Sequence, residues 1–289
     1  VTLLELIEAQ AARLHEAGVS FGHGTTNAFD EAAWLTLWKL DLPLHTLGDH
    51  ETDPVDDAAR AQVEALVGER IATRKPAAYL TREAWLQGVP FYVDERTIVP
   101  RSFIAELVAE TTIDAWLSEH TTRVLDLCTG NGSLAVLAAM AWPDVSVDAI
   151  DLSEDALAVA KINVERHGLG DRIRLLQGDG LAPAQGPYDL ILCNPPYVNS
   201  ASMDALPAEY RAEPALALAG GADGMDFIRK LLAEAPAQLS EHGVLVLEIG
   251  NEREFFEAAF PRLEAAWLDT SAGEDQVLLL TREALKELA

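Results

Sequence analysis

The sequence predicts an α/β protein in which a small all-helical segment precedes a mostly parallel sheet covered on both faces. Apolar residues recur at helical spacing up to about residue 90, and from Arg123 onward short apolar runs alternate with helical stretches. The last two apolar runs are joined by a connection too short for a crossover helix, so they pair antiparallel at one edge.

Taken in order, Leu3, Leu4, Ile7, Ala11 and Leu14 form a first helical stripe. Ala33, Trp34, Leu35 and Trp38 form a second after a cap at Thr26 or Asn27, and Ala58, Val63, Leu66, Val67 and Ile71 a third. Such stripes bury one another as core. Between Ala77 and Pro100, the stretches Tyr79–Leu86 and Phe91–Val93 flank Gly88-Val89-Pro90 as the arms of a hairpin linker. The expected organisation is a helical unit over 1–76, the linker over 77–104 and an α/β domain over 105–289. Strands are expected at 124–128, 145–150, 173–176, 188–193 and 244–249, each opening a βα unit. Trp267–Asp269 and Gln276–Leu280 close a seven-stranded sheet.

Composition narrows the function. The 289 residues carry 47 Asp or Glu against 21 Lys or Arg, a formal charge of −26. Affinity for DNA or RNA comes largely from cations that displace phosphate counterions, so a nucleic-acid partner is disfavoured. Only five of the cations are Lys, which also fits adaptation to salt. An apolar content of 49% supplies a core, but no run reaches the roughly 18 residues of a membrane span. The start Val1–Leu6 lacks the basic residues of a secretory signal, and two cysteines make no disulfide framework, so the chain reads as cytoplasmic.

Chemistry is concentrated at the ends of the expected strands. Cys128-Thr129-Gly130-Asn131-Gly132-Ser133 joins the first strand to a helix, where glycines let backbone approach a nucleotide-type ligand. A plain strand-to-helix turn would use the same glycines. Asp151, about twenty residues on, is placed to accept ribose hydroxyls or else to cap the next helix, and Leu152 follows it. Asp179 in Gly178-Asp179-Gly180 either meets an adenine amino group or shapes a turn. Asp126 lies inside an apolar strand, where a carboxylate needs a cationic ligand or loop amides to offset its burial.

Asn194-Pro195-Pro196-Tyr197 ends the fourth strand. Two prolines remove two donors and free the carbonyl between them, and Asn194 adds a side-chain carbonyl beside it. Together they can accept both N–H bonds of a planar NH₂ group while the Tyr197 ring packs over it.

The glycine turn, Asp151 and Asn194-Pro195-Pro196-Tyr197 together resemble S-adenosylmethionine-dependent amino methyltransferases. Within these, the whole chain is similar to the protein-glutamine N5-methyltransferases, a family with a helical N-terminal bundle, a hairpin linker and a seven-stranded, Rossmann-like class I methyltransferase domain. Phe21–Ala28, Arg74–Thr81, Val99–Ser102 and Leu206–Pro214 resemble the branch that modifies a glutamine of large-subunit ribosomal protein L-three. The release-factor branch usually carries Pro-Arg-Pro-Glu-Thr where this chain has Pro100–Ile104, and fits less well. Asn131 and Ser133 stand where a small residue and Cys are common, a change that leaves cofactor binding intact.

The resemblance implies S-adenosylmethionine as cofactor and S-adenosylhomocysteine as product. Its expected contacts are Asp126, Cys128, Thr129, Gly130, Gly132, Asp151, Leu152, Asp179 and Asn194, with no metal. Asn194, Pro195 and Tyr197 are the expected catalytic residues, joined by Pro196 in holding substrate. The insert from Ser200 to Asp226 is the candidate substrate-recognition loop, or else a cover for the cofactor. The negative charge suits a basic ribosomal protein met before or early in ribosome assembly, without DNA or membrane. Rival readings are release-factor methylation, a nucleic-acid amino methyltransferase and a non-catalytic cofactor-binding module; a nicotinamide enzyme has no use for Asn-Pro-Pro-Tyr.

Overall fold

The computed structural model describes residues 1–288. Helix α1 (Leu3–Glu16) opens with a capping box in which Glu5 N donates to Thr2 Oγ1 and Thr2 N to the Glu5 carboxylate. Asn27, one of the two expected caps, accepts from Asp30 N at 2.9 Å and starts α2 (Ala28–Lys39). The short α3 (Leu47–His50) and the longer α4 (Asp57–Thr73) follow. Leu3, Ile7 and Leu14 of α1, Trp34 and Leu35 of α2 and Leu66 and Val67 of α4 meet in one apolar cluster, so the three stripes do face one another. Ala58 departs from its stripe and is exposed.

The hairpin is shorter than expected. Tyr79–Thr81 belong not to a strand but to α5 (Ala77–Thr81), where Thr81 Oγ1 donates to Ala77 O at 3.1 Å and Tyr79 is buried. The antiparallel pair is β1 (Glu83–Leu86) with β2 (Val89–Tyr92). Helix α6 (Ile104–Ala109) leads into the sheet.

The sheet chain runs β3 (Arg123–Leu127), α7 (Ser133–Ala141), β4 (Ser146–Asp151), α8 (Glu154–Arg166), β5 (Ile173–Gln177) and β6 (Tyr188–Cys193). It continues through α9 (Ser200–Ala205), α10 (Ala208–Arg211), α11 (Asp226–Gln238), β7 (Leu239–Glu248), α12 (Arg253–Ala259), β8 (Ala266–Thr270), β9 (Gly273–Thr281) and α13 (Arg282–Lys286). Strand order is β5-β4-β3-β6-β7-β9-β8, with β9 antiparallel to both neighbours and the other pairs parallel. One correction concerns the five βα units: no helix lies between β5 and β6. Gly178, Gly180, Pro183, Gly186 and Pro187 crowd that connection and break helical hydrogen bonding, and Pro183 packs where a Gly178 side chain would stand.

The chain moves from β3 outward to β5, then returns to β6 on the other side of β3. That reversal opens a crevice at the carboxyl ends of β3 and β6, the usual ligand site of an open α/β sheet. Apolar side chains of α6, α7 and α8 cover one face and those of α11, α12 and α13 the other.

The insert between β6 and α11 is tied to the helical region by buried charge. Arg70 of α4 is fully buried; its Nε donates to Glu31 Oε1 at 2.8 Å, Nη2 to Ser20 O at 3.1 Å and Nη1 to Glu209 Oε1 of the insert at 3.4 Å. Burial pushes the Glu31 carboxyl above its ordinary range even with Arg70 beside it. Glu213 takes a bidentate pair from Arg101 at 2.7 and 2.8 Å and the Val99 N–H at 2.8 Å, with His23 Nε2 3.4 Å away. Burial opposes its ionisation, yet Arg101 and His23 hold its carboxyl down to about 2. Glu209 and Glu213 of the expected recognition stretch thus face inward, as anchors.

Replacing Arg70 with Met leaves Glu31 buried without its cation and Glu209 with Arg74 alone, whose Nε lies 3.5 Å from Oε1. Urea unfolding at pH 8 is expected to show a loss of about 3–5 kcal/mol, shrinking toward pH 5 as the stranded carboxylates take up protons. A loss under about 1 kcal/mol would mean the pair behaves as a solvated surface bridge.

Candidate active site

The turn after β3 holds left-handed residues at three alternate positions: Cys128 at φ 61°, Gly130 at 55° and Gly132 at 81°. Asp126 organises it from beneath. Fully buried, its Oδ2 accepts from Thr129 Oγ1 at 2.5 Å and from Ala135 N, in the first turn of α7, at 2.9 Å. Asp126 Oδ1 has no partner, and burial lifts the carboxyl to about 7. Asn163 of α8 braces the turn from the side, donating to Asn131 O at 2.8 Å and bonding both backbone groups of Tyr92 in β2.

Asp151 closes the other wall. Its Oδ2 accepts from Gly130 N and its Oδ1 from Ser153 N, both at 2.9 Å, while Ser153 itself caps α8. The carboxylate is thereby oriented by backbone at the end of β4, and burial raises its pKa.

Gly130, Asn131 and Asp151 line a cavity of about 220 Å³ together with Cys128, Thr129, Leu152, Asp179, Asn194, Pro196, Phe227 and residues of the Arg96–Ser102 stretch. Two expected cofactor contacts are absent from its wall. Asp126 sits below the turn, and Gly132 faces Ala160 of α8, where an added Cβ would lie 3.1 Å from the Ala160 Cβ. Both shape the cradle by supporting it. Asp179 lines the cavity, but its Oδ2 also accepts from Lys230 Nζ at 2.6 Å.

A second cavity, of about 530 Å³, shares Ile98, Arg101, Asn194 and Ala217 with the first. Pro195, Tyr197, Tyr210, Glu248 and Thr25 and Thr26 of the helical region are on its walls. The four residues after β6 therefore divide: Pro196 faces the first cavity, Pro195 and Tyr197 the second, and Asn194 both. Among the described residues, no hydrogen-bond donor reaches the Asn194 side chain or the Pro195 carbonyl. Tyr197 is seated by Gly250, where a Cβ would fall 2.5 Å from its Cε2. Its hydroxyl donates to Glu248 Oε1 at 3.3 Å.

Sequence reasoning missed Arg101, Glu213, Asn163 and Glu248 as parts of this site. Only Glu248 carried a local signal, a carboxylate ending the apolar run Val244–Leu247, the same pattern that marked Asp126.

Comparison with known proteins bears on this geometry. A family model described as methyltransferase small domain matches residues 107–209. The ribosomal protein uL3 glutamine methyltransferase of Bordetella pertussis is 56% identical, covering 98% of this chain and 96% of its own. That of Burkholderia pseudomallei is 52% identical over 100% and 97%, and that of Neisseria meningitidis serogroup B 48% identical over 98% and 94%. The chain belongs to the ribosomal protein uL3 glutamine methyltransferase family. Among solved structures, the hMettl16 catalytic domain in complex with MAT2A 3′UTR hairpin 6 overlays with a TM-score of 0.51 at 13% identity, covering 78% of this chain and 81% of that one. That likeness is one of fold.

The cofactor of such a methyltransferase is S-adenosylmethionine, and the residues of the first cavity fit it. Asp151 offers oriented acceptors for a ribose diol, Leu152 and Phe227 offer apolar surface for a purine, and the glycine turn leaves room for backbone approach.

Asp151→Ala is expected to weaken S-adenosylhomocysteine binding by calorimetry by roughly 10- to 100-fold, the value of one hydrogen bond to a charged acceptor. In the unaltered protein, affinity falls as pH drops through the raised Asp151 pKa, because the protonated carboxyl loses an acceptor. An alanine variant that keeps full affinity would remove Asp151 from the site.

Proposed function

We infer that this chain transfers a methyl group from S-adenosylmethionine to the side-chain nitrogen of a glutamine in ribosomal protein uL3. One observation carries the mechanism: Asn194 is shared by the cofactor cavity and the larger second cavity, with its side chain and the Pro195 carbonyl free of other partners. A glutamine amide entering from the second cavity meets those acceptors at the point where the two cavities join.

An amide nitrogen is a poor nucleophile because its lone pair is delocalised into the carbonyl. The bound cofactor supplies an electrophilic methyl on a positively charged sulfur. The protein's task is alignment: Asn194 Oδ1 and the Pro195 carbonyl accept the two N–H bonds, hold the NH₂ plane and favour the positive charge that grows on nitrogen. Pro196 has no N–H to compete for these acceptors. Tyr197, fixed against Gly250 and Glu248, walls the amide side.

Asn194, Pro195 and Tyr197 are accordingly assigned to catalysis and, with Pro196, to substrate binding. Cys128, Thr129, Gly130, Asp151, Leu152, Asp179 and Asn194 are assigned to the cofactor, with Asp126 and Gly132 supporting them. Residues 1–76 form the recognition unit, 77–104 the linker and 105–289 the catalytic domain. The inward-facing Glu209 and Glu213 assign much of the 206–214 stretch to structure, leaving Leu206 and Tyr210 to meet substrate.

The formal charge of −26 attracts a basic ribosomal protein and repels rRNA, so free uL3 is the substrate, before or early in assembly. The same charge argues against DNA. No helix of the described residues is long and apolar enough to cross a membrane, and a cytoplasmic setting suits a ribosomal-protein modifier.

Asn194→Ala is expected to lower kcat on uL3 by about 10²-fold or more while S-adenosylhomocysteine affinity changes little. Equal losses in both would deny Asn194 its substrate role. In a mass-spectrometric assay, one methyl should appear on one glutamine of free uL3, with little on assembled large subunits and none on release factor. Efficient methylation of assembled subunits would sink the timing, and transfer to release factor would overturn the substrate.

A further inference from the structure

Glu248 is a costly residue where it stands. It ends β7 beside the end of β6, is 2% exposed and lines the second cavity. Among the described residues, no Lys, Arg or His nitrogen lies within ion-pair distance of it. Its charge is met by neutral donors alone: Ser102 Oγ at 2.6 Å and Phe103 N at 2.9 Å on Oε2, and the Tyr197 hydroxyl at 3.3 Å on Oε1. Ser102 in turn accepts from Ile104 N at 3.2 Å, so the start of α6 is part of the same network. A leucine would fill this position at the end of an apolar strand without burying a charge.

What the carboxylate does that leucine cannot is join two walls of the methyl-transfer site. One oxygen holds the hydroxyl of Tyr197, the other the Ser102–Phe103 turn; Phe103 lines the second cavity and Ser102 the first. Resting on the function inferred above, the geometry points to Glu248 as a positioning residue for methyl transfer: by bridging Tyr197 to the Ser102–Phe103 turn, its carboxylate sets where the glutamine amide lies against Asn194.

The anion accepts from all three donors, and protonation turns one carboxyl oxygen from an acceptor into a donor, which disturbs the bridge. Burial moves the carboxyl up to about 6, with the Ser102, Phe103 and Tyr197 hydrogen bonds opposing that rise. The groups facing it are Tyr197 and the buried thiol of Cys193 from β6, Ser102 and the backbone of Phe103 and Ile104 ahead of α6, and Gln276 from β9. Arg101 and Tyr210 line the same cavity, and Arg101 is already committed to Glu213. Activity therefore falls as pH drops through the Glu248 pKa, while the Asn194 and Pro195 acceptors do not titrate.

The test is kinetics on free uL3 between pH 5 and 9 for the unaltered enzyme, Glu248→Gln, Tyr197→Phe and the double variant, with S-adenosylhomocysteine affinity measured by calorimetry. Each single change is expected to lower kcat about 10- to 100-fold, the cost of a small misplacement, with cofactor affinity kept. The double variant should lose no more than the worse single, and at saturating S-adenosylmethionine the fall in kcat between pH 7 and 5 should be smaller in Glu248→Gln than in the unaltered enzyme. A tyrosine ultraviolet difference spectrum between pH 5 and 7.5 should be seen in the unaltered protein and in neither single variant. Multiplying losses, a fall in kcat between pH 7 and 5 at saturating S-adenosylmethionine that is as large in Glu248→Gln as in the unaltered enzyme, or unchanged kcat would overturn the assignment. So would equal loss of cofactor affinity, which marks a structural role. If Glu248→Gln does not fold, Ser102→Ala replaces it, and a normal kcat there overturns the bridge. An unaltered enzyme that methylates no uL3 would instead refute the inferred function.

Discussion

The constraint on which the site depends is a pair of buried carboxylates, Glu209 and Glu213, within the insert that follows β6. Each is paired to a cation from an earlier part of the chain, Glu209 to Arg70 in the helical region and Glu213 to Arg101 in the stretch leading to α6. Buried charges of this kind are stable only when their partners stay in place, so the three segments are held together as a unit. Through that unit the loop at Gly22–Thr26, the Ile98–Phe103 stretch and the insert enclose one cavity. His23 adds to the seal, buried against the Tyr210 ring with centroids 4.3 Å apart. Without these pairs the second cavity would open, and the acceptors at Asn194 would face solvent.

The cofactor side is built by a different economy of parts. Asp126, Asp151 and Asn163 all spend hydrogen bonds on backbone: Asp126 on the start of α7, Asp151 on both Gly130 and Ser153, Asn163 on the turn and on β2. Side chains that grip backbone in this way fix a glycine turn whose residues would otherwise have the widest conformational freedom. The cradle is therefore preorganised, and Asp151 does two jobs, orienting the turn and presenting its remaining lone pairs to a ligand. The division at Asn194-Pro195-Pro196-Tyr197 follows from the extended backbone, which sends successive residues to opposite sides. Pro196 closes one cavity, Pro195 and Tyr197 the other, and Asn194 lies where they meet.

Much was legible from local pattern. Helical spacing of Leu3, Ile7 and Leu14 and of Leu66 and Val67, the apolar runs of the seven strands, and the short link between the last two strands each follow from rules that act over a few residues. So do the glycine turn and the free acceptors at a Pro-Pro strand exit. Where the pattern misled, a local rule was overridden: Tyr79–Thr81 has strand-like composition, yet the Tyr79 hydroxyl donates to Thr97 O at 2.5 Å and Ala77 and Ala78 are buried, so the segment coils. The missing helix after β5 was written in its own glycines and prolines.

By itself, then, the sequence determined the fold class, the glycine turn, the aspartate at the end of β4 and the free acceptors at the Pro-Pro strand exit, because each is specified by residues close together in the chain. Only the tertiary structure decided that Asp126 and Gly132 support the cradle from outside the cavity, that Glu209 and Glu213 anchor the insert, and that Glu248 bridges Tyr197 to Ser102. The pairs Arg70–Glu209, Arg101–Glu213 and Ser102–Glu248 join residues 139, 112 and 146 positions apart, and burial and partner choice at such separations depend on how the layers pack.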